Sequence, residues 1–144
     1  MGTVNSILRT KGNTTIISIT PETIVYEALE IMFEKNVSAL VVMENEKLLG
    51  IFTERDYARK VILQGKASKE TKIGEIMTED PIVVSPGSSI NECMRLMSSK
   101  LIRHLPVVED GNLIGIISIG DVVKFIIEEQ EFIIQNMEHY ITGG

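Results

Sequence analysis

The sequence predicts a mixed α/β fold of the α+β type, in which one strand-helix-strand-strand-helix unit is written twice and followed by an extended C-terminal helix. Three observations carry that expectation. Sliding the chain along itself by 65 residues without a gap places Pro21 on Pro86, Glu27 on Glu92, Met32 on Met97, Leu40 on Leu105, Gly50 on Gly115 and Asp56 on Asp121. Within each copy the apolar pattern switches from short β-branched runs to a helical period and back. After the second copy the helical pattern continues to Ile141 instead of stopping where its counterpart stops.

Each element has a local reason. Ile16-Ile17-Ser18-Ile19 and Ile82-Val83-Val84 are β-branched runs ended by Thr-Pro or Ser-Pro, which reads as a short entry strand in each repeat. Val25, Ala28, Leu29 and Met32 then fall at i, i+3, i+4 and i+7, and Ile90, Cys93, Met94 and Met97 repeat that stripe, so an amphipathic helix follows each strand. Ser89 with Glu92 forms a capping-box pattern, and Thr23 is the expected cap of the first helix. Next come the apolar strands Ala39–Met43 and Leu105–Val108. Each turns at Asn45-Glu46 or Asp110-Gly111 into a second strand ending at Phe52 or Ile117. A closing helix is expected to begin at Asp56 or Asp121. One such unit leaves a sheet face half covered, and two bury it against each other.

These readings divide the chain into repeat 1 (12–64), a polar linker (65–76), repeat 2 (77–127) and a C-terminal helix extension (128–144). The extension carries Phe132, Ile133, Met137 and Tyr140, apolar surface that a small module buries best against another copy, so a homodimer is expected.

Composition narrows the function. Lys plus Arg total 14 against 20 for Asp plus Glu, a net charge of −6 without a basic block, which argues against nucleic acid as a partner. No apolar run approaches the roughly 20 residues a membrane span needs. The lone cysteine, Cys93, fits a reducing interior, so the expectation is a soluble cytoplasmic protein. Asn13-Thr14-Thr15 and Asn36-Val37-Ser38 are formal glycosylation sequons, relevant only in the secretory pathway. With two histidines, no zinc-type Cys/His spacing and no nucleophile elbow, catalysis is not expected.

The sharpest repeated motif is Gly50-Ile51-Phe52-Thr53-Glu54-Arg55-Asp56, answered by Gly115-Ile116-Ile117-Ser118-Ile119-Gly120-Asp121. Glycine, hydroxyl and carboxylate recur at identical spacing. Each Asp also reads as a helix cap and each hydroxyl as a partner of loop backbone. The functional reading is a carboxylate that accepts the two hydroxyls of a ribose, beside a hydroxyl and helix-start amides that face phosphate.

These motifs, together with Ile102-Arg103-His104-Leu105-Pro106-Val107, resemble the signatures of CBS domains. From about Gly12 to Phe125 the chain looks like a tandem CBS pair, or Bateman module. It is most similar to the small stand-alone two-repeat proteins of bacteria and plant organelles. The resemblance implies two repeats packed through their sheets about a pseudo-twofold axis. Two clefts between them would bind an adenine nucleotide: AMP, ADP, ATP, NAD(H) or S-adenosylmethionine. It implies Asp56 and Asp121 at the ribose hydroxyls and Thr53 and Ser118 at ribose or phosphate. The adenine would lie among Ile17, Ile82, Met77, Ser38, Ala39, Leu105 and Pro106, with Arg103 and His104 toward phosphates. Arg55 against Gly120, and Arg103-His104 against Ser38-Ala39, make the two clefts unequal. The implied function is a nucleotide-responsive regulatory module with no catalytic cofactor that signals to a separate effector protein. A scaffold that has lost its ligand is the alternative, and a nucleotide-acting enzyme a more distant one.

Overall fold

The structure is a computed structural model that describes residues 2–12 and 16–142. The Asn13 sequon and the final two glycines of the C-terminal extension lie outside the described residues. The elements run α1 (Val4–Lys11), β1 (Ser18–Ile19), α2 (Val25–Lys35), β2 (Ala39–Glu44), β3 (Lys47–Thr53) and α3 (Glu54–Asp56), which continues into a π-helical segment, Tyr57–Ile62. They continue with α4 (Ile73–Ile76), β4 (Thr78–Glu79), α5 (Ile90–Lys100), β5 (His104–Glu109), β6 (Asn112–Ser118) and α6 (Ile119–Thr142).

The duplication survives in the hydrogen bonding. In the sheet built on repeat 1, β1 runs parallel to β2, β2 antiparallel to β3, and β3 antiparallel to β4 from the start of repeat 2. In repeat 2, β5 and β6 form the corresponding antiparallel pair. Ile19 is registered with Val42, and Val84 makes the same parallel bridge to Val107. Register shifts at Val42/Met43 and at Val107/Val108 mark the same irregularity twice. Both hairpin turns hold two residues at positive φ, Asn45 and Glu46 in one and Asp110 and Gly111 in the other, the geometry that matches strand twist.

Four details differ from the expectation. The entry strands are shorter: only Ser18–Ile19 pairs in the first repeat and only Val84 in the second. Thr23 does not cap α2. Its hydroxyl accepts from Thr20 N–H at 3.1 Å, and the free amides of Val25 and Tyr26 donate instead to the carbonyls of Thr71 and Ser68. Backbone from the linker thus does the work of a cap. The closing helices begin at Glu54 and Ile119, not at the aspartates, which sit three residues inside the reciprocal pairs Thr53/Asp56 and Ser118/Asp121. The segment expected as linker contains α4, whose Ile73 and Ile76 are buried. Ser89, by contrast, caps α5 as expected, accepting from Glu92 N–H at 3.0 Å.

Two cores result, and each takes a helix from outside its own repeat. Ile73 and Ile76 of α4, just before repeat 2, pack into the repeat 1 core around Phe52, Leu40 and Val61. Val4 and Ile7 of α1, before repeat 1, pack into the repeat 2 core around Leu105, Ile117 and Cys93. This crossing explains the signature glycines. A Cβ at Gly50 would meet the Thr78 carbonyl oxygen at 2.6 Å, and one at Gly115 would meet Leu8 Cδ2 at 3.0 Å. The glycines leave room for the segment that crosses each sheet.

Candidate functional site

A cavity of about 650 Å³ lies between the repeats at the start of α3. It is built from three stretches: Thr53 to Lys60 of repeat 1, Thr78 to Ile82 leading into repeat 2, and Lys100 to His104 at the end of α5. Because β3 and α3 meet at a capping box, the carboxylate of Asp56 is fixed. Its Oδ2 accepts from Thr53 N–H at 3.0 Å and Thr53 Oγ1 at 3.1 Å, and its Oδ1 accepts from Thr78 Oγ1 at 2.9 Å. Lys60, one turn on, places its ammonium 3.0 Å from the same Oδ1. Asp56 is 6% exposed, yet its carboxylate borders the cavity.

Around that carboxylate the walls divide by chemistry. Ile51, Pro81, Ile82 and Ile102 supply an apolar side. Arg55, Arg59, Lys60, Lys100 and Arg103 supply cationic groups, countered by Glu54 and Asp80. Arg55 spans the repeats, donating to the carbonyl of Leu101 at 3.4 Å. His104 and Ser38 join across them as well, with Nε2 and Oγ 3.0 Å apart. Burial lowers the affinity of His104 for protons. Asp121 opposes that effect and the charges of Lys11 and Arg103 reinforce it, leaving the imidazole below its ordinary range.

Seven of the residues named from the sequence therefore share this cleft: Ser38, Thr53, Arg55, Asp56, Ile82, Arg103 and His104. The others lie elsewhere. Met77 packs on the repeat 1 core beside Gly50, Leu105 is fully buried in the repeat 2 core, and Pro106 pairs with Ile116 inside the β5/β6 hairpin. Ser118 and Asp121, with Gly120 between them in the signature, form the second half-site, where Asp121 accepts from Ser118 N–H at 2.8 Å and from Lys11 Nζ at 2.9 Å. Burial alone would raise the affinity of Asp121 for its proton. The ammonium of Lys11 and the Ser118 donors outweigh burial and hold the carboxyl below its ordinary range. Ile17 and Ala39 line a small cavity of about 100 Å³ beside Lys11.

Sequence reasoning missed Thr78, Lys60, Lys100 and Lys11. Lys60 stands at i+4 from Asp56, a spacing legible on any helix. Thr78, Lys100 and Lys11 reach their sites only through the packing of distant segments.

The family model for the CBS domain matches residues 8–62 and 73–128, and the chain belongs to that family, as a pair of CBS repeats. Among curated relatives it is 43% identical over 150 residues to the mitochondrial CBS domain-containing protein CBSX3 of Arabidopsis thaliana, covering 99% of this chain and 73% of that protein. The structure of CBSX2 in complex with AMP superposes with a TM-score of 0.70 at 31% identity, covering 90% of this chain and 99% of that one. The CBS domain pair of protein MJ0100, in complex with 5′-methylthioadenosine and S-adenosylmethionine, superposes with a TM-score of 0.78 at 27% identity, covering 90% and 98%. CBS pairs of this kind are regulatory modules. The kinship does not carry the expected cytoplasmic location, since CBSX3 is mitochondrial. Among the described residues no helix is long and apolar enough to cross a membrane.

Proposed function

We propose that this protein is a non-catalytic sensor of a phosphate-bearing adenosine nucleotide, AMP, ADP or ATP, bound in the cleft at Asp56. One observation carries the reading: a fixed carboxylate and two hydroxyls, Thr53 and Thr78, line one cleft together with apolar residues and five cationic side chains. Ribose suits the carboxylate, which exchanges the half-exposed Lys60 ammonium for sugar hydroxyls. Adenine suits the isoleucine and proline wall, and phosphate the arginine and lysine rim. The cavity is within the roughly 300–1,000 Å³ of small-molecule sites. S-adenosylmethionine and 5′-methylthioadenosine lack phosphate, so the cationic rim favours AMP, ADP or ATP over them; NAD(H) shares the diphosphate and ranks next.

Both repeats line the cleft, so a ligand there ties Arg55 and Asp56 of one to Arg103 and His104 of the other. A ligand with different affinity for two relative placements of the repeats shifts their balance, and a separate effector protein reads the result. The second half of α6 offers the surface for a second copy of this chain. Its Phe132, Ile133, Met137 and Tyr140 are exposed and the chain leaves them uncovered.

A thermal-shift titration against AMP, ADP, ATP, NAD, NADH and S-adenosylmethionine, with guanosine nucleotides as controls, tests the reading. Ligand at 100 times its dissociation constant adds about 2.7 kcal/mol of stability. The expected result is a saturable, adenine-selective rise that Asp56→Ala weakens by one to two decades in affinity, the scale of a lost charged hydrogen bond of about 1.5–3 kcal/mol. No rise at millimolar concentration with any nucleotide favours the ligand-free scaffold.

A further inference from the structure

The two half-sites neutralise their carboxylates with cations from different elements. In repeat 1 the cation is Lys60, on the same helical run as Asp56, at the rim, with 42% of its side chain exposed. The equivalent position in repeat 2 is Phe125, which packs on the core. There the cation comes from α1 instead. Lys11 stands where repeat 1 has the buried Ile76, and its ammonium donates to Asp121 Oδ2 at 2.9 Å and to the Ile116 carbonyl at 3.1 Å.

That placement cuts the second half-site in two. One remnant, about 60 Å³, is bordered by Asp121, Lys124 and Phe125, the counterparts of Asp56, Arg59 and Lys60. The other, about 100 Å³, is bordered by Ile17, Val37 and Ile116, the counterparts of Ile82, Ile102 and Ile51. Lys11 lines both, so it lies between the sugar side and the base side of the half-site. Neither remnant approaches the roughly 300 Å³ a small-molecule site needs. The helix that carries Lys11 is anchored at its other end: Val4 and Ile7 are buried, and Val4 and Asn5 donate to the carbonyls of Ser88 and Pro86 at 2.9 Å each.

We propose that Lys11 occupies the ribose position at Asp121 and thereby limits each chain to a single nucleotide, at Asp56. This rests on the reading that the Asp56 cleft takes an adenosine nucleotide. Isothermal titration with AMP and, separately, with the phosphate-free 5′-methylthioadenosine measures the stoichiometry. The wild type should bind one molecule per chain, and Asp56→Ala should bind it one to two decades more weakly. Lys11→Ala should bind two per chain with at least one probe, returning to one in Lys11→Ala/Asp121→Asn. Lys11→Ser replaces the alanine variant should that lose its thermal transition. Two molecules per wild-type chain, or one per Lys11→Ala chain, overturns the proposal. If the wild type binds neither probe, the Asp56 reading has failed, and Lys11 is then tested without nucleotide. Its acetylation, followed by mass spectrometry, should be several-fold slower than that of the exposed Lys66 and should reach the Lys66 rate in Asp121→Asn. Equal rates in the wild type overturn the proposal.

Discussion

Two side chains tie the chemistry of this module to pH. His104 is half-buried between the half-sites and holds its proton less tightly than the ordinary imidazole value of 6.5, chiefly because of burial. The unfolded chain therefore binds more protons than the native one between the lowered value and 6.5, and stability falls as pH drops through that window. Above 6.5 the contribution is fully present. Asp121, held below the ordinary 3.8 by Lys11 and Ser118 against the opposing effect of burial, adds a second loss at more acid pH, as its native carboxyl takes up a proton. Urea midpoints compared at pH 7.5 and pH 5 should show the first loss, and His104→Gln should remove most of it. An equal loss in that variant would assign the acid sensitivity to other groups.

At the scale of elements, the signature glycines serve the crossing segments as much as any ligand. Gly50→Ala places a Cβ against the backbone carbonyl of Thr78 in β4, which cannot rotate away, whereas Gly115→Ala meets the end of the flexible Leu8 side chain. Gly50→Ala should cost about 1–3 kcal/mol in chemical denaturation and Gly115→Ala clearly less. Equal costs would show that Leu8 yields no more readily than the Thr78 carbonyl, contradicting this account. The duplicated hairpins, the paired helices and the Ser89 cap were legible in the sequence because each depends on residues a few positions apart. The exchange of α1 and α4 between the cores was not, since Ile73 and Val4 carry no local sign of which repeat will bury them. The same reason hid Thr78 and Lys11 from the site, while Thr53, Asp56 and Arg103 could be read from their motifs.

For the molecule as a whole, the asymmetry between halves matters more than their likeness. Asp56 borders the 650 Å³ cleft with Lys60 on its carboxylate at the rim, whereas Asp121 is paired with Lys11 and borders only a small remnant, so the duplicated pair presents one roomy site. The long α6 sets the other large-scale feature. Ile133 and Met137 are about half exposed and Tyr140 and Ile141 largely so, forming an apolar face suited to a second copy. On the proposed pairing, the wild type should run as a dimer in light scattering and Ile133→Glu/Met137→Glu as a monomer with unchanged nucleotide affinity at Asp56. A monomeric wild type, or an unaltered mass in the variant, would overturn that pairing.

The central claim, one adenosine nucleotide seated between the repeats at Asp56, is tested most directly by mapping backbone amide chemical shifts during titration with AMP. The largest perturbations at residues 53–60, 78–82 and 100–104 are the predicted result. Perturbations centred on Ser118 to Lys124, or spread without regard to the cleft, would contradict it.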